Sequence, residues 1–204
     1  MSVFSTHRRT LLTGALAMVF SGVLTACSEP EATFLGNDIS GTKLGTRLAL
    51  TDHNGQARTL KDFQGKVIVA FFGFTQCPDV CPTALAELSA LMEKLGPDAD
   101  RVQVVLISVD PERDTADILK QYVTTFDPRF LGLTGTPEQV KAAAASFKAY
   151  YAKIPTADGK DYTMDHTSAF YLFDKTGESR VLANSTIGVD AMAHDIKMLL
   201  NQPQ

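Results

Sequence analysis

The residues best suited to chemistry are two cysteines separated by three residues, in Phe74-Thr75-Gln76-Cys77-Pro78-Asp79-Val80-Cys81-Pro82. A thiolate is both a nucleophile and a soft metal ligand. At this spacing the pair can close into a disulfide, which needs Cβ atoms roughly 4 Å apart. The same loop can turn both sulfurs toward one external atom, as chelation requires. A small inert disulfide in a surface loop is the plainer alternative.

Two thiolates do not complete a typical copper or zinc site, and the sequence offers four histidines. His166 stands in Tyr162-Thr163-Met164-Asp165-His166-Thr167-Ser168, just before the apolar run Ala169 to Phe173. Soft thiolates hold Cu(I), and an added imidazole suits Cu(II) as well. Zinc also fits two cysteines and a histidine with one position open. From position alone, the alternative for His166 is a satisfied histidine at a strand end. His53 lies beside the turn signal Asn54-Gly55 and is expected to be solvated; His194, in the last helix, is expected on the surface or in packing.

Periodicity places these residues on an α/β frame. Leu48 to Thr51 and Ala57 to Leu60 flank Asn54-Gly55 and predict an N-terminal β-hairpin. Val67 to Phe74 is continuously apolar, as a buried central strand is. Leu85, Leu88, Leu91, Met92 and Leu95 make one helical face over 83–95. A second buried strand follows at 102–109, then a helix over 114–126 and a short edge strand at 129–133. Thr136-Pro137 supplies an N-cap and N1 proline for a helix through Tyr150. Residues 151–166 predict a hairpin or long loop around Asp158-Gly159, followed by strands at 168–173 and 179–183 and a closing helix at 189–200. A βαβ unit followed by a ββα unit is the thioredoxin-like plan: a mixed sheet flanked by helices.

On that plan the cysteines join a strand to a helix, where redox chemistry sits. Thioredoxin-like redox motifs usually have two intervening residues; this one has three. Pro82 fits a first helical turn and pushes Cys81 out of the α region, so the helix is expected to start at Pro82 with Cys81 at its mouth. The helix amides and dipole there favour a thiolate of lowered pKa. The loop entering the strand at 168 faces the cysteine motif in such folds and usually carries a cis-proline. Here it has none, and His166 stands about where the proline would be.

The N-terminus reads as a targeting segment. Arg8 and Arg9 precede an apolar run from Leu11 to Leu24. Its fourteen residues reach about 21 Å as a helix, short of a roughly 30 Å hydrocarbon core, so a signal h-region fits better than a transmembrane span. Leu24-Thr25-Ala26-Cys27 resembles a bacterial lipobox, which implies cleavage before Cys27 and lipid on its sulfur. An ordinary signal peptide with an incidental cysteine is the alternative. Arg8-Arg9-Thr10-Leu11-Leu12 also resembles a twin-arginine signal. The expected organisation is a signal peptide over 1–26, a polar lipidated tether over 27–41 and one domain over 42–204. Loss of 1–26, with two arginines and no acid, takes the net charge from −4 to −6, without the basic footprint that nucleic acid requires.

Three segments carry a family resemblance. Cys77 to Pro82 (CPDVCP), Ser108 to Thr115 (SVDPERDT) and Asp165 to Asp174 (DHTSAFYLFD) resemble the Sco/SenC family, and the likeness runs from about residue 34 to 200. The resemblance implies a thioredoxin-like fold and copper, as Cu(I) or Cu(II), bound by Cys77, Cys81 and His166. It also implies service to the dinuclear copper centre of cytochrome c oxidase. The implied partners are the oxidase copper-site subunit, another copper chaperone and, through the lipid, the extracytoplasmic face of a bacterial membrane. Asp79 and Asp165 are candidates to orient the ligands by hydrogen bonding, with turn or capping roles as the alternative. Met164 is a soft donor expected instead to pack.

The leading reading is therefore a metallochaperone. A membrane-anchored thiol-disulfide oxidoreductase, reducing the oxidase copper-site cysteines through Cys77 and Cys81, uses the same residues. A copper or redox sensor is the third class. A peroxiredoxin-like peroxidase fits less well, because no separate resolving cysteine exists.

Overall fold

The structure is a computed structural model and describes residues 33–203. Residues 1–32, which hold the segment expected to be a signal peptide, one of the four histidines (His7), Cys27 and the start of the expected tether, lie outside the described residues. An eight-stranded mixed sheet forms the centre, with strand order β1-β10-β9-β4-β5-β6-β2-β3. These strands are β1 (Asn37–Asp38), β2 (Leu50–Asp52), β3 (Ala57–Arg58), β4 (Val67–Gly73), β5 (Val102–Ser108), β6 (Leu131–Thr134), β9 (Ala169–Phe173) and β10 (Ser179–Asn184). Four helices accompany them: α1 (Val80–Leu95), α2 (Ala116–Phe126), α3 (Pro137–Phe147) and α4 (Val189–Asn201). A separate two-stranded sheet, β7 (Tyr151–Pro155) with β8 (Tyr162–His166), stands apart from the main one.

The apolar run 67–73 is buried at every position because β4 has neighbours on both edges and helices on both faces. It pairs parallel with β5 and antiparallel with β9. Successive strand residues point to opposite faces. Phe72 meets Phe147 of α3 edge-on at 5.1 Å, and Phe147 also meets Tyr171 and Phe173. Phe71 and Gly73 look the other way, toward Cys81 of α1. Phe147 sits at the hub of this aromatic cluster and is 1 % exposed, so truncating it to alanine costs about 3–5 kcal/mol. The β4-α1-β5 unit and the later β9-β10-α4 unit make this the expected thioredoxin-like α/β fold.

Several local expectations need correction. Helix α1 begins at Val80, two residues before Pro82, and Cys81 lies inside its first turn. The Thr83 N–H donates to the Asp79 carbonyl at 3.1 Å as the first helical bond. Pro82 thus occupies a position whose missing N–H has no intrahelical partner to lose. Strand β6 is no edge: it lies between β5 and β2. Helix α3 has its Thr136 cap but ends at Phe147, where Lys148 turns left-handed (φ 55°), leaving 151–155 free to form β7. Residues 33–41, expected as polar loop, fold onto the body. Strand β1 pairs with β10, and buried Asp195 accepts the Leu35 and Gly36 amides at 2.8 and 2.9 Å. His53 is buried, not solvated; its Nδ1 accepts the Gly132 N–H at 3.2 Å, and burial lowers its pKa. Among the described residues no helix is long and apolar enough to cross a membrane.

Candidate metal centre

The cysteine loop leaves the buried end of β4 and enters α1. Its start is pinned by Asp114, a fully buried carboxylate that accepts the Thr75 hydroxyl at 2.6 Å and the Thr75 N–H at 3.2 Å. Ser108, at the end of β5, donates to the same carboxylate at 2.6 Å. Three donors favour the ionised form, yet burial is the larger effect and raises the Asp114 pKa above its ordinary 3.8. Gly73 makes room beneath the loop. A Cβ there would lie 3.0 Å from Cys81 Sγ and 2.9 Å from the Phe71 ring.

The two cysteines differ in exposure. Cys77 is half-buried and Cys81 fully buried, both as free thiols. The Cys81 amide, in the first turn of α1, donates to Cys77 Sγ at 3.4 Å. The helix N-terminus therefore serves the Cys77 sulfur, and the lowered pKa expected for Cys81 is overturned. Burial pushes the Cys81 thiol well above its ordinary 9.0, because desolvating a thiolate outweighs the local amides.

His166 comes from the last position of β8, on the hairpin. Its Nδ1 donates to the Thr167 carbonyl at 3.1 Å, which leaves Nε2 facing Cys81 Sγ at 3.5 Å. A ring held by its far nitrogen in this way has its tautomer and direction set before any metal arrives. The ring also stands edge-on to Phe74 at 5.9 Å. One ligand atom from each of Cys77, Cys81 and His166 lies within 4.8 Å of the other two, a set that could hold a metal ion. Residues 85 positions apart have been brought to one point by the β4–β9 pairing.

Cys77 and His166 form one wall of an open cleft of about 360 Å³, which Pro78, Met164 and Ser168 also line, while Cys81 lies buried behind them. Met164 is 6 % exposed and packs into the core. Asp79 and Asp165 are exposed at the rim of the cleft. Neither carboxylate hydrogen-bonds Cys77, Cys81 or His166 among the described residues. The orienting bond on His166 comes from a backbone carbonyl instead. His194 is exposed on α4, with Nε2 3.4 Å from the Thr33 carbonyl. Asp114 and Gly73 were missed as site residues. The available signals were an acidic residue inside SVDPERDT and a glycine closing an apolar strand. Two sulfurs and one imidazole nitrogen suit copper in either oxidation state, and the paired thiols are competent for disulfide exchange.

The SCO1/SenC family model matches residues 37–201. The chain is similar to a mitochondrial SCO2 homologue of Mus musculus, 45 % identical over 131 residues, covering 63 % of this chain and 51 % of that protein. It thus spans about half the length of such relatives. A SCO2-like protein of Rickettsia felis is 36 % identical over 166 residues, covering 81 % of this chain and 80 % of that one. Among solved structures, Bradyrhizobium japonicum ScoI with copper bound superposes with a TM-score of 0.69 at 43 % identity, covering 81 % of this chain and 99 % of that one.

Proposed function

The chain belongs to the SCO1/SenC family, and from that premise we propose that it is an extracytoplasmic copper chaperone for the dinuclear centre of cytochrome c oxidase. The observation that carries this reading is the convergence of Cys77, Cys81 and His166 within 4.8 Å at an open cleft. Copper is the cargo. The two sulfurs satisfy the soft ion, and the imidazole, held by Thr167, adds the nitrogen that Cu(II) prefers. An open cleft lets a recipient subunit approach the ligands directly. The B. japonicum relative, known with copper bound, supports the choice of metal.

Export and anchoring belong to the same proposal. They rest on the apolar run 11–24 and the Leu24 to Cys27 segment. The exposure difference between Cys77 and Cys81 favours a second reading, thiol-disulfide exchange with an oxidase copper-site subunit. In it, the Cys77 thiolate attacks a partner disulfide and Cys81 resolves the mixed disulfide, leaving the partner reduced and this pair oxidised. Copper titration of the reduced and the oxidised domain tests the main reading. Forming a Cys77–Cys81 disulfide removes both thiolates and should abolish tight binding. Equal affinity in the two redox states would sink the ligand assignment.

A further inference from the structure

Among the described residues, the hairpin that carries His166 has no strand pairing to the main sheet. Its register places His166 opposite Tyr151 at one end and Tyr162 opposite Pro155 at the other. At the His166 end it is tied through Tyr150 and Thr167, whose backbone and side chain exchange bonds at 2.9 and 3.0 Å. The far end is held by a different device. The Tyr162 hydroxyl donates to Asp110 at 2.9 Å, and the Arg113 guanidinium lies over the Tyr162 ring at 3.8 Å. Arg113 also donates to the Tyr162 carbonyl at 3.0 Å and is ion-paired to Asp110. Lys153 completes the clamp at 4.4 Å from the same ring, itself paired with Glu112 at 2.6 Å.

Asp110 and Arg113 belong to the segment that also supplies Asp114, the carboxylate fixing the cysteine loop. The Ser108 hydroxyl donates to Asp114 and accepts the Asp110 N–H at 3.0 Å. One stretch, Ser108 to Asp114, therefore reaches the cysteine loop with one carboxylate and the histidine hairpin with the other. The Asp110 side chain is 1 % exposed and the Arg113 side chain 16 %, so this clamp is shielded from the solvent screening that weakens surface pairs. Arg113 Nη2 is buried without a partner among the described residues, a cost a guanidinium bears here in covering the ring.

We propose that Tyr162, clamped by Asp110 and Arg113, is a positioning residue that docks the hairpin and so fixes His166 Nε2 against the cysteine pair. It rests on the copper reading above. The clamp acts on the nitrogen ligand alone, since Cys77 and Cys81 are held separately through Thr75 and α1. It therefore sets the preference between copper states: docked, the site offers sulfur and nitrogen; released, it is a dithiolate suited to Cu(I).

Tyr162→Leu tests the clamp, because it removes ring and hydroxyl while leaving the Arg113–Asp110 pair intact. In the metal-free protein, amide hydrogen exchange across 151–166 should rise at least about tenfold, with β4 and β5 unchanged. In titrations, Cu(II) affinity should fall about 10–100-fold, the usual effect of losing a group that orients a ligand, while Cu(I) affinity stays within about threefold. The thiolate-to-Cu(II) absorption and the Cu(II) paramagnetic resonance spectrum should shift as nitrogen leaves. Tyr162→Phe keeps the ring under Arg113 and should restore much of the wild-type spectrum. A wild type that binds copper, with Tyr162→Leu matching it in hairpin exchange and Cu(II) spectrum, would overturn the clamp alone. A wild type with no copper affinity would overturn the reading on which it rests.

Discussion

Asp114 grips Thr75 twice, through the hydroxyl at 2.6 Å and the backbone N–H at 3.2 Å, and so ties the segment after β5 to the loop bearing Cys77 and Cys81. Removing that carboxylate strands buried donors on both Thr75 and Ser108. Asp114→Ala should lower unfolding free energy by about 1–3 kcal/mol, the usual cost of an unsatisfied buried group, measured by urea denaturation.

The pH dependence of the same residue has a definite sign. Burial raises the folded pKa of Asp114 above the ordinary 3.8, so its contribution is fully present below that value and lost as pH rises through the folded pKa. The stability advantage of wild type over Asp114→Asn should therefore be greatest at acid pH and shrink as pH rises. Urea unfolding at a series of pH values reads this difference, and a constant gap would contradict it.

Gly73→Ala should disturb the site from below. The added methyl would crowd Cys81 Sγ, the Phe71 ring and Leu106 Cδ1, all at 2.9–3.0 Å. The backbone there is not left-handed, so the penalty is one of packing. It should be about 1–3 kcal/mol of stability, with weakened copper binding as Cys81 shifts. Calorimetric unfolding and copper titration together check both halves.

The thiols should differ in reactivity. Cys81 is fully buried with its thiol pKa raised by that burial, whereas Cys77 opens onto the cleft. In the reduced, metal-free domain near neutral pH, iodoacetamide should modify Cys77 well before Cys81. Peptide mapping over a time course would reveal the order, and equal rates would argue against the observed burial.

How far the sequence carried this reading varies by residue. Cys77, Cys81 and His166 were legible because each sits in a distinctive local string, and the strands at 67 and 102 because continuous apolar runs have few other uses. The start of α1 was misplaced because the steric preference at Pro82 is a local tendency that packing overrode. Cys81 acidity was misjudged because burial is a tertiary property, invisible in a motif. His53 looked solvated beside a turn, yet the neighbouring β6 covers it. Asp114, Gly73 and the Tyr162 clamp were missed for one reason: each acts across 39 or more positions or through space left empty, and no periodicity records that.

Cys27 offers a separate check on the envelope assignment. Cys27→Ala should release the domain from the membrane fraction or leave an unprocessed precursor, since acyl chains would supply the tether. Fractionation and intact-mass analysis decide it. A wild-type protein that is fully soluble and unlipidated would contradict the lipobox reading.

The central claim is tested most directly by titrating His166→Ala with Cu(I) and with Cu(II). Cu(I) accepts low coordination and should remain on the Cys77 and Cys81 sulfurs with little change. Cu(II) affinity should fall by about 100-fold or more, at least as much as losing a group that merely orients a ligand. Unchanged affinity for both copper states would contradict the assignment of His166 and, with it, the copper site proposed for this chain.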